Sequence, residues 1–262
     1  MTGFLASVTS AAEAEMALAA GADIIDLKDP HRGALGALPP PAIRSAMQAV
    51  AGRRTVSATA GDLPMQPRVV ADAAARIADL GVDIVKVGVF PGGDPTGCIT
   101  ELARLTSHGI RIVAVLFADK TPDVSLIDRL QASQFAGAML DTADKHAGGL
   151  RRHIDDCALA DFIASVRRCG MITGLAGSLA LGDIAPLVRF DPDYLGFRGA
   201  LCSAGRTSGL DVDRALAVRA ALDRARTHQD SAARIARATA GAHRAAHSLA
   251  TASPWTRSAK ST

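Results

Sequence analysis

Lysine is rare in this chain, and four of its five lysines lie in or just after apolar runs typical of buried strands. The five are Lys28, Lys86, Lys120, Lys145 and Lys260, and the other 24 of the 29 basic residues are arginines. Unlike a guanidinium group, a lysine amine can lose its proton when it is desolvated and can attack a carbonyl carbon. We therefore interpret the first four lysines as a site for carbonyl chemistry.

Two of these lysines occupy the most informative positions. Lys28 follows the apolar run Ile24–Leu27, which also carries Asp26. Lys86 lies between two valines, where an ammonium group is costly unless its charge is paired or lost. Directed into a barrel, Lys86 would favour the neutral amine and serve as a base or nucleophile. The alternatives are a buried structural Lys–Asp pair for Lys86 and a solvated charge at a strand end for Lys28.

The elements that would position these side chains repeat along the chain. About eight strand-like runs alternate with helical patterns between Phe4 and Arg226, and the runs are continuously apolar, which indicates a parallel sheet buried on both faces. This number of units predicts an α/β fold of the (β/α)8 TIM barrel type in a single domain over residues 1–225. An open doubly wound sheet is the competitor, but the first strand–helix turn has no G-x-G-x-x-G. Residues 226–262 read as an Ala/Arg-rich basic extension, helical and then disordered.

A barrel places its active site at the carboxyl ends of the strands, so polar residues at those points are candidates. Asp26 and Lys28 end the second predicted strand, Lys120 follows the fifth, and Asp141 ends the sixth, with Lys145 four residues further on. We expect Asp26 and Lys120 to contact the substrate. Alternatively, Asp141 caps a helix or a strand end, and Lys120 and Lys145 are ordinary surface residues.

The loops after the seventh and eighth predicted strands carry Gly177, Ser178, Arg198 and Gly199. Barrel enzymes commonly bind phosphate in these loops. Gly177 would let the backbone approach, Ser178 would add a hydroxyl donor, and Arg198 would offer a bidentate fork. Ordinary turn chemistry is the alternative. The residues alone therefore predict a lysine-dependent enzyme acting on a phosphorylated carbonyl compound.

Composition excludes several other classes. Aromatic residues make up 3% of the chain, too few for a base-stacking surface. From Arg226 onward six basic residues face one acid, so the remainder, with 23 basic and 25 acidic residues, offers no basic face for nucleic acid. Neither cysteines nor histidines show metal-ligand spacing, and we expect no metal and no cofactor. Without a signal peptide or a run of the ~20 apolar residues that a membrane span needs, we expect a cytoplasmic protein with no membrane partner.

Five strings of the sequence form a distinctive set when they are considered together: Gly21–Pro30, Val85–Gly88, Leu140–Thr142 with Lys145, Gly174–Leu179 and Tyr194–Cys202. They are similar to the (5-formylfuran-3-yl)methyl phosphate synthase family, also called 4-(hydroxymethyl)-2-furancarboxaldehyde phosphate synthase, of methanofuran biosynthesis. The resemblance extends from Phe4 to about Leu222.

The resemblance implies an enzyme that condenses two molecules of glyceraldehyde 3-phosphate into a furan aldehyde phosphate, with loss of phosphate and water. It implies Lys28 as the Schiff-base lysine, Lys86 as a second catalytic lysine, and Asp141 with Lys145 as a supporting acid–base pair. It matches Gly88 to the substrate pocket. We also expect a homo-oligomer. Four alternatives stay open: an imine on Lys86 with the roles exchanged, a class I aldolase or isomerase of another phosphorylated carbonyl substrate, a non-enzymatic ligand-binding barrel, and a nucleic-acid binder that acts through the basic tail.

Overall fold

A computed structural model describes residues 1–229 and 231, which form a closed barrel of eight parallel strands surrounded by eight helices. The strands are β1 Gly3–Val8, β2 Ile24–Leu27, β3 Thr55–Thr59, β4 Ile84–Val89, β5 Ile112–Phe117, β6 Gly137–Asp141, β7 Ile172–Leu175 and β8 Tyr194–Phe197. The helices are α1 Ala11–Ala19, α2 Pro40–Val50, α3 Pro67–Ala78, α4 Pro95–Ser107, α5 Leu126–Ala132, α6 Asp156–Arg168, α7 Ile184–Val188 and α8 over residues 212–229. The predicted (β/α)8 fold is confirmed.

Local sequence explains where several helices begin. The side chains of Ser10, Asp94 and Asp155 precede α1, α4 and α6, and each accepts a hydrogen bond from the N–H group three residues further along. These bonds satisfy N–H groups that have no partner within the helix. Each capping residue follows a strand and its loop, so the caps set the point at which the chain turns back along the barrel.

Side chains along each strand point alternately outward, towards the helices, and inward, into the barrel. One set of strand residues, including Phe4, Ile25 and Val85, packs outward in a large cluster with the helices. The residues of opposite parity face into the barrel, where Val113 and Met139 belong to a second, smaller apolar cluster. Because side chains alternate with a period of two, the charged residues of β2, β4 and β6 share this inward parity.

Barrel closure completes the sheet between its first and last strands. β1 pairs with β8 in parallel, with Ala6 opposite Phe197, and β1 also pairs with β2, with Ser7 opposite Asp26. Residues far apart in the sequence therefore meet at the mouth of the barrel. Of the expected extension at 226–262, all but residues 226–229 and 231 lies outside the described residues. No helix in the described part of the chain is both long and apolar enough to cross a membrane.

Candidate active site

A cavity of about 730 Å³ opens at the carboxyl ends of the strands. It brings together most of the residues that the sequence indicated as a site. Those lining it are Lys28, Lys86, Asp141, Lys145, Gly177, Ser178, Arg198 and Gly199. The site thus lies where a barrel of this kind places its chemistry.

Asp26 and Lys86 form a buried ion pair beneath the cavity. The Lys86 Nζ atom lies 3.1 Å from each carboxylate oxygen of Asp26, and those oxygens also accept hydrogen bonds from the hydroxyls of Ser7 and Ser57. Burial raises the pKa of Asp26, but the Lys86 and Lys28 ammonium groups and the two hydroxyls outweigh it and hold that pKa below its ordinary value. These hydrogen bonds saturate the lone-pair sites of the carboxylate. Asp26 is therefore the partner of Lys86 and does not line the cavity, and the substrate contact expected of it stays a prediction.

The same pair changes the interpretation of Lys86. Its neighbours in β4 are apolar, which is why the sequence favoured a neutral amine, but Asp26 neutralises the ammonium group across the barrel. Lys86 reaches the cavity as a paired cation. The structural Lys–Asp pair and the site residue, which were alternatives for the sequence, are the same feature of the structure.

Lys28 differs from the other cavity lysines in having an unpaired amine. It is 6% exposed, and its Nζ atom has no hydrogen bond or ion pair with any residue that the structure describes. Burial is the largest cause that lowers the pKa of Lys28, the Lys145 and Lys86 ammonium groups lower it too, and the carboxylates of Asp141 and Asp26 oppose them; the net pKa is about 8. A substantial fraction of this amine is therefore neutral near pH 8, as a nucleophile requires.

Asp141 and Lys145 form a second ion pair at the edge of the cavity. The Lys145 Nζ atom lies 2.5 Å from Asp141 Oδ1, and the same oxygen accepts the backbone N–H of Thr142. Burial raises the pKa of Asp141, but Lys145 and Lys28 reverse the effect and hold it below its ordinary value. Asp141 therefore stays ionised, and its ion pair with Lys145 borders the cavity.

The loop after β7 presents unused backbone donors to the cavity. The N–H groups of Gly177, Ser178 and Leu179 donate to no acceptor among the described residues. Gly177 has φ 109° and Ser178 has φ 48°, both in the left-handed region. A Cβ atom on Gly177 would lie 3.0 Å from Thr142 Cγ2, so the close approach of the loop depends on glycine. Such a backbone turn suits an anionic group.

Arg198 lines the cavity, but its guanidinium is fully engaged by the protein. Its five N–H groups donate to both carboxylate oxygens of Glu13 and to the carbonyl oxygens of Ser7, Arg206 and Ser208. A guanidinium has five donors, so none is left for a phosphate. The structure thus places Arg198 in the ion pair with Glu13, and the bidentate phosphate fork expected at this residue stays a prediction for which this arrangement leaves no unused donor.

Two predicted contacts lie away from the main cavity. Lys120 is exposed and borders a separate cavity of about 290 Å³ together with Phe90 and Phe117. A Cβ atom on Gly88 would lie 2.5 Å from the ring of Phe90 and 2.9 Å from Leu35, so the position is packed by side chains. Neither residue lines the main cavity.

Sequence reasoning missed two residues that matter to the geometry of the site. The S-x-x-E spacing of Ser10 and Glu13 is typical of a capping box, so the sequence could have indicated a capping role for Glu13. It could not have indicated that Glu13 pairs with the buried Arg198 after β8. Arg206 lines the cavity and donates one hydrogen bond, to the carbonyl oxygen of Gly33. Nothing in the sequence distinguishes Arg206 from the other arginines of an arginine-rich chain.

Fold and site together define a (β/α)8 barrel with a lysine–carboxylate cluster and, at the rim of its cavity, backbone N–H groups that have no acceptor among the described residues. The chain belongs to the 4-HFC-P synthase family, whose model matches residues 4–219. It is 47% identical over 211 residues to a Methylorubrum extorquens protein provisionally named as a (5-formylfuran-3-yl)methyl phosphate synthase, covering 80% of this chain and 87% of that one. It is 36% identical over 205 residues to the (5-formylfuran-3-yl)methyl phosphate synthase of Methanococcus aeolicus, covering 74% and 87%.

Solved structures share the fold at much lower identity. The 3-hexulose-6-phosphate synthase of Salmonella typhimurium superposes with a TM-score of 0.62 at 17% identity, over 86% of this chain and 100% of that one. Phosphoribosyl anthranilate isomerase of Thermus thermophilus gives 0.62 at 15% identity, over 86% and 99%. At these identities the likeness concerns the barrel alone.

Proposed function

We propose that this protein is a (5-formylfuran-3-yl)methyl phosphate synthase that condenses two molecules of glyceraldehyde 3-phosphate in the biosynthesis of a methanofuran-type cofactor. Family membership and the named relatives support the reaction class. The balance is complete: two C3H7O6P units give the furan aldehyde phosphate C6H7O6P, one H3PO4 and two H2O. No oxidant or reductant is needed.

The observation that carries this proposal is the unpaired amine of Lys28 in the floor of the cavity. With a pKa of about 8 and no carboxylate in contact among the described residues, Lys28 is the lysine best suited to form an imine with the first triose. The iminium makes the neighbouring C–H acidic and gives an enamine. In glyceraldehyde 3-phosphate the phosphate is on the carbon β to the aldehyde, so the same electron pair can expel phosphate or attack the second carbonyl.

The paired lysines have different roles in this mechanism. Lys86, which is ion-paired with Asp26, donates protons to carbonyl or hydroxyl oxygens near the imine. Lys145, held by Asp141, neutralises charge on the departing phosphate. Asp141 is the one carboxylate among the described residues that line the cavity, so we assign it the proton-accepting role. Ring closure and dehydration to an aromatic furan then make the final steps effectively irreversible.

The test is to incubate the purified protein with glyceraldehyde 3-phosphate and to follow furan aldehyde absorbance together with inorganic phosphate. We expect one phosphate for each furan, with two trioses consumed, above a protein-free control that corrects for spontaneous elimination. Lys28→Met should abolish both signals, whereas Lys120→Met, a matched change outside the cavity, should keep them. A six-carbon sugar phosphate or an isomer formed without phosphate release would overturn the proposal in favour of an aldolase or isomerase.

A further inference from the structure

The loop that follows β8 is folded around a single buried ion pair. Arg198, at its start, donates to the carbonyl oxygens of Arg206 and Ser208 within the loop and to the carboxylate of Glu13. Glu13 in turn accepts the N–H of Leu210, where the loop ends. One ion pair therefore holds the beginning, the middle and the end of the loop.

This ion pair leaves neither partner free. The side chains of Arg198 and Glu13 are 6% and 10% exposed, and Glu13 also accepts the backbone N–H of Thr9 at the start of α1. Glu13 thus accepts four hydrogen bonds and Arg198 donates five. A saturated buried network of this kind has one geometry in which every group is satisfied, so it fixes the loop.

Arg206, carried by that loop, is in the opposite situation. Its one hydrogen bond within the described residues goes to the Gly33 carbonyl, so four of its five N–H groups stay available beside the cavity. No carboxylate of the described residues lies within 4.0 Å of its guanidinium, since none of the ion pairs includes it. Burial lowers the pKa of Arg206, although Asp141 and Asp62 partly oppose the effect, so an anion would stabilise its charge.

The distribution of charge around the cavity also distinguishes Arg206 from the other basic residues that line it. Three of its six lysines and arginines are neutralised, in the pairs Lys86–Asp26, Lys145–Asp141 and Arg198–Glu13. Lys28, Arg206 and Arg214 stay uncompensated among the described residues. Lys28 has an amine suited to the carbonyl, and Arg214 is exposed to solvent. Arg206 is half-buried and anchored, as a residue that recognises an anion should be.

We propose that Arg206 binds a phosphate group of the triose phosphate substrate, and that the buried Glu13–Arg198 pair positions it for that contact. The proposal rests on the proposed function, because it names the group that recognises its substrate. It transfers the phosphate-binding role expected at Arg198 to Arg206, eight residues later in the same loop. It also makes Glu13, on the first helix, a positioning residue for a loop near the other end of the chain.

The first variant is Arg206→Gln, compared with Arg44→Gln, an exposed arginine on α2 with no hydrogen bond or ion pair from its side chain among the described residues. Calorimetry with inorganic phosphate measures affinity without turnover, and initial rates give KM and kcat for glyceraldehyde 3-phosphate. Losing charge-assisted hydrogen bonds should weaken phosphate binding and raise KM by about 10- to 100-fold, with kcat within about threefold. Phosphate affinity within twofold of the wild type would overturn the proposal.

The second variant, Glu13→Gln, tests positioning, because Glu13 does not line the cavity. We expect the same direction of change in phosphate affinity and KM, while borohydride trapping of unphosphorylated glyceraldehyde on Lys28 stays at the wild-type level. Loss of that trapping as well would indicate general damage and would refute the positioning role. If the wild type binds phosphate through Arg206 but makes no furan, the proposed function fails while the assignment of Arg206 stands.

Discussion

Replacing Asp26 with asparagine tests whether the buried ion pair beneath the cavity has the role that its geometry implies. Asp26 is fully buried, and the side chain of Lys86 is 4% exposed. An asparagine side chain would keep the shape and one acceptor oxygen for the serine hydroxyls but would leave the Lys86 ammonium without its counter-charge. Removing one partner of a buried pair costs about 3 to 5 kcal/mol. We therefore expect Asp26→Asn to lower the free energy of unfolding by that amount, measured by urea denaturation.

Two further variants separate charge from packing. The double variant Asp26→Asn with Lys86→Met removes both charges and should recover at least half of the lost stability, because a pair replaced as a whole costs little. Glu101→Gln, which breaks the exposed pair between Glu101 and Arg104, should change stability by less than about 1 kcal/mol. A loss below about 1 kcal/mol in Asp26→Asn, or a double variant less stable than the single one, would refute the reasoning.

Four other predictions concern the site. The pKa of Lys28 is about 8 in the folded chain against 10.5 ordinarily, so imine trapping should accelerate as pH rises through about 8; a flat profile between pH 7 and 9 would contradict this. Because the unfolded chain binds this proton more tightly, the same shift predicts stability that rises with pH between about 8 and 10.5. Gly177→Ala puts a side chain on a residue with φ 109°, so we expect the free energy of unfolding in urea to fall by about 1 to 3 kcal/mol and KM to rise. An unchanged urea midpoint would show that alanine causes no strain at this position. Lys120→Ala should keep kcat/KM within about twofold of the wild-type value, since Lys120 borders a different cavity. A larger loss would show that Lys120 contributes to the active site after all.

The barrel was predictable from the sequence because its signals are local. Continuous apolar runs such as Ile112–Phe117 mark strands buried on both faces, and the turn residues between them mark the helices. Once the strands are placed, the rule that a barrel gathers the carboxyl ends of its strands predicts that Lys28, Lys86 and Asp141 lie near one another. All three line the same cavity, and their chemical roles stay predictions.

The pairing of charges was not predictable in the same way. Asp26 finds Lys86 across the barrel interior, and Glu13 finds Arg198 only because β1 closes against β8. Those partners are 60 and 185 residues apart, so no local pattern links them. The sequence could identify Arg198 as an arginine in a phosphate-binding loop, but not that its five donors are already used.

The most direct test of the whole account is to find which lysine forms a covalent adduct. The protein is mixed with glyceraldehyde 3-phosphate, reduced with borohydride, digested and analysed by mass spectrometry. The account predicts an adduct on Lys28, because its amine has no hydrogen-bond or ion-pair partner among the described residues and its pKa is lowered, and it predicts no adduct in Lys28→Arg. An adduct on Lys86, or a folded and active enzyme with no adduct on any lysine, would contradict it.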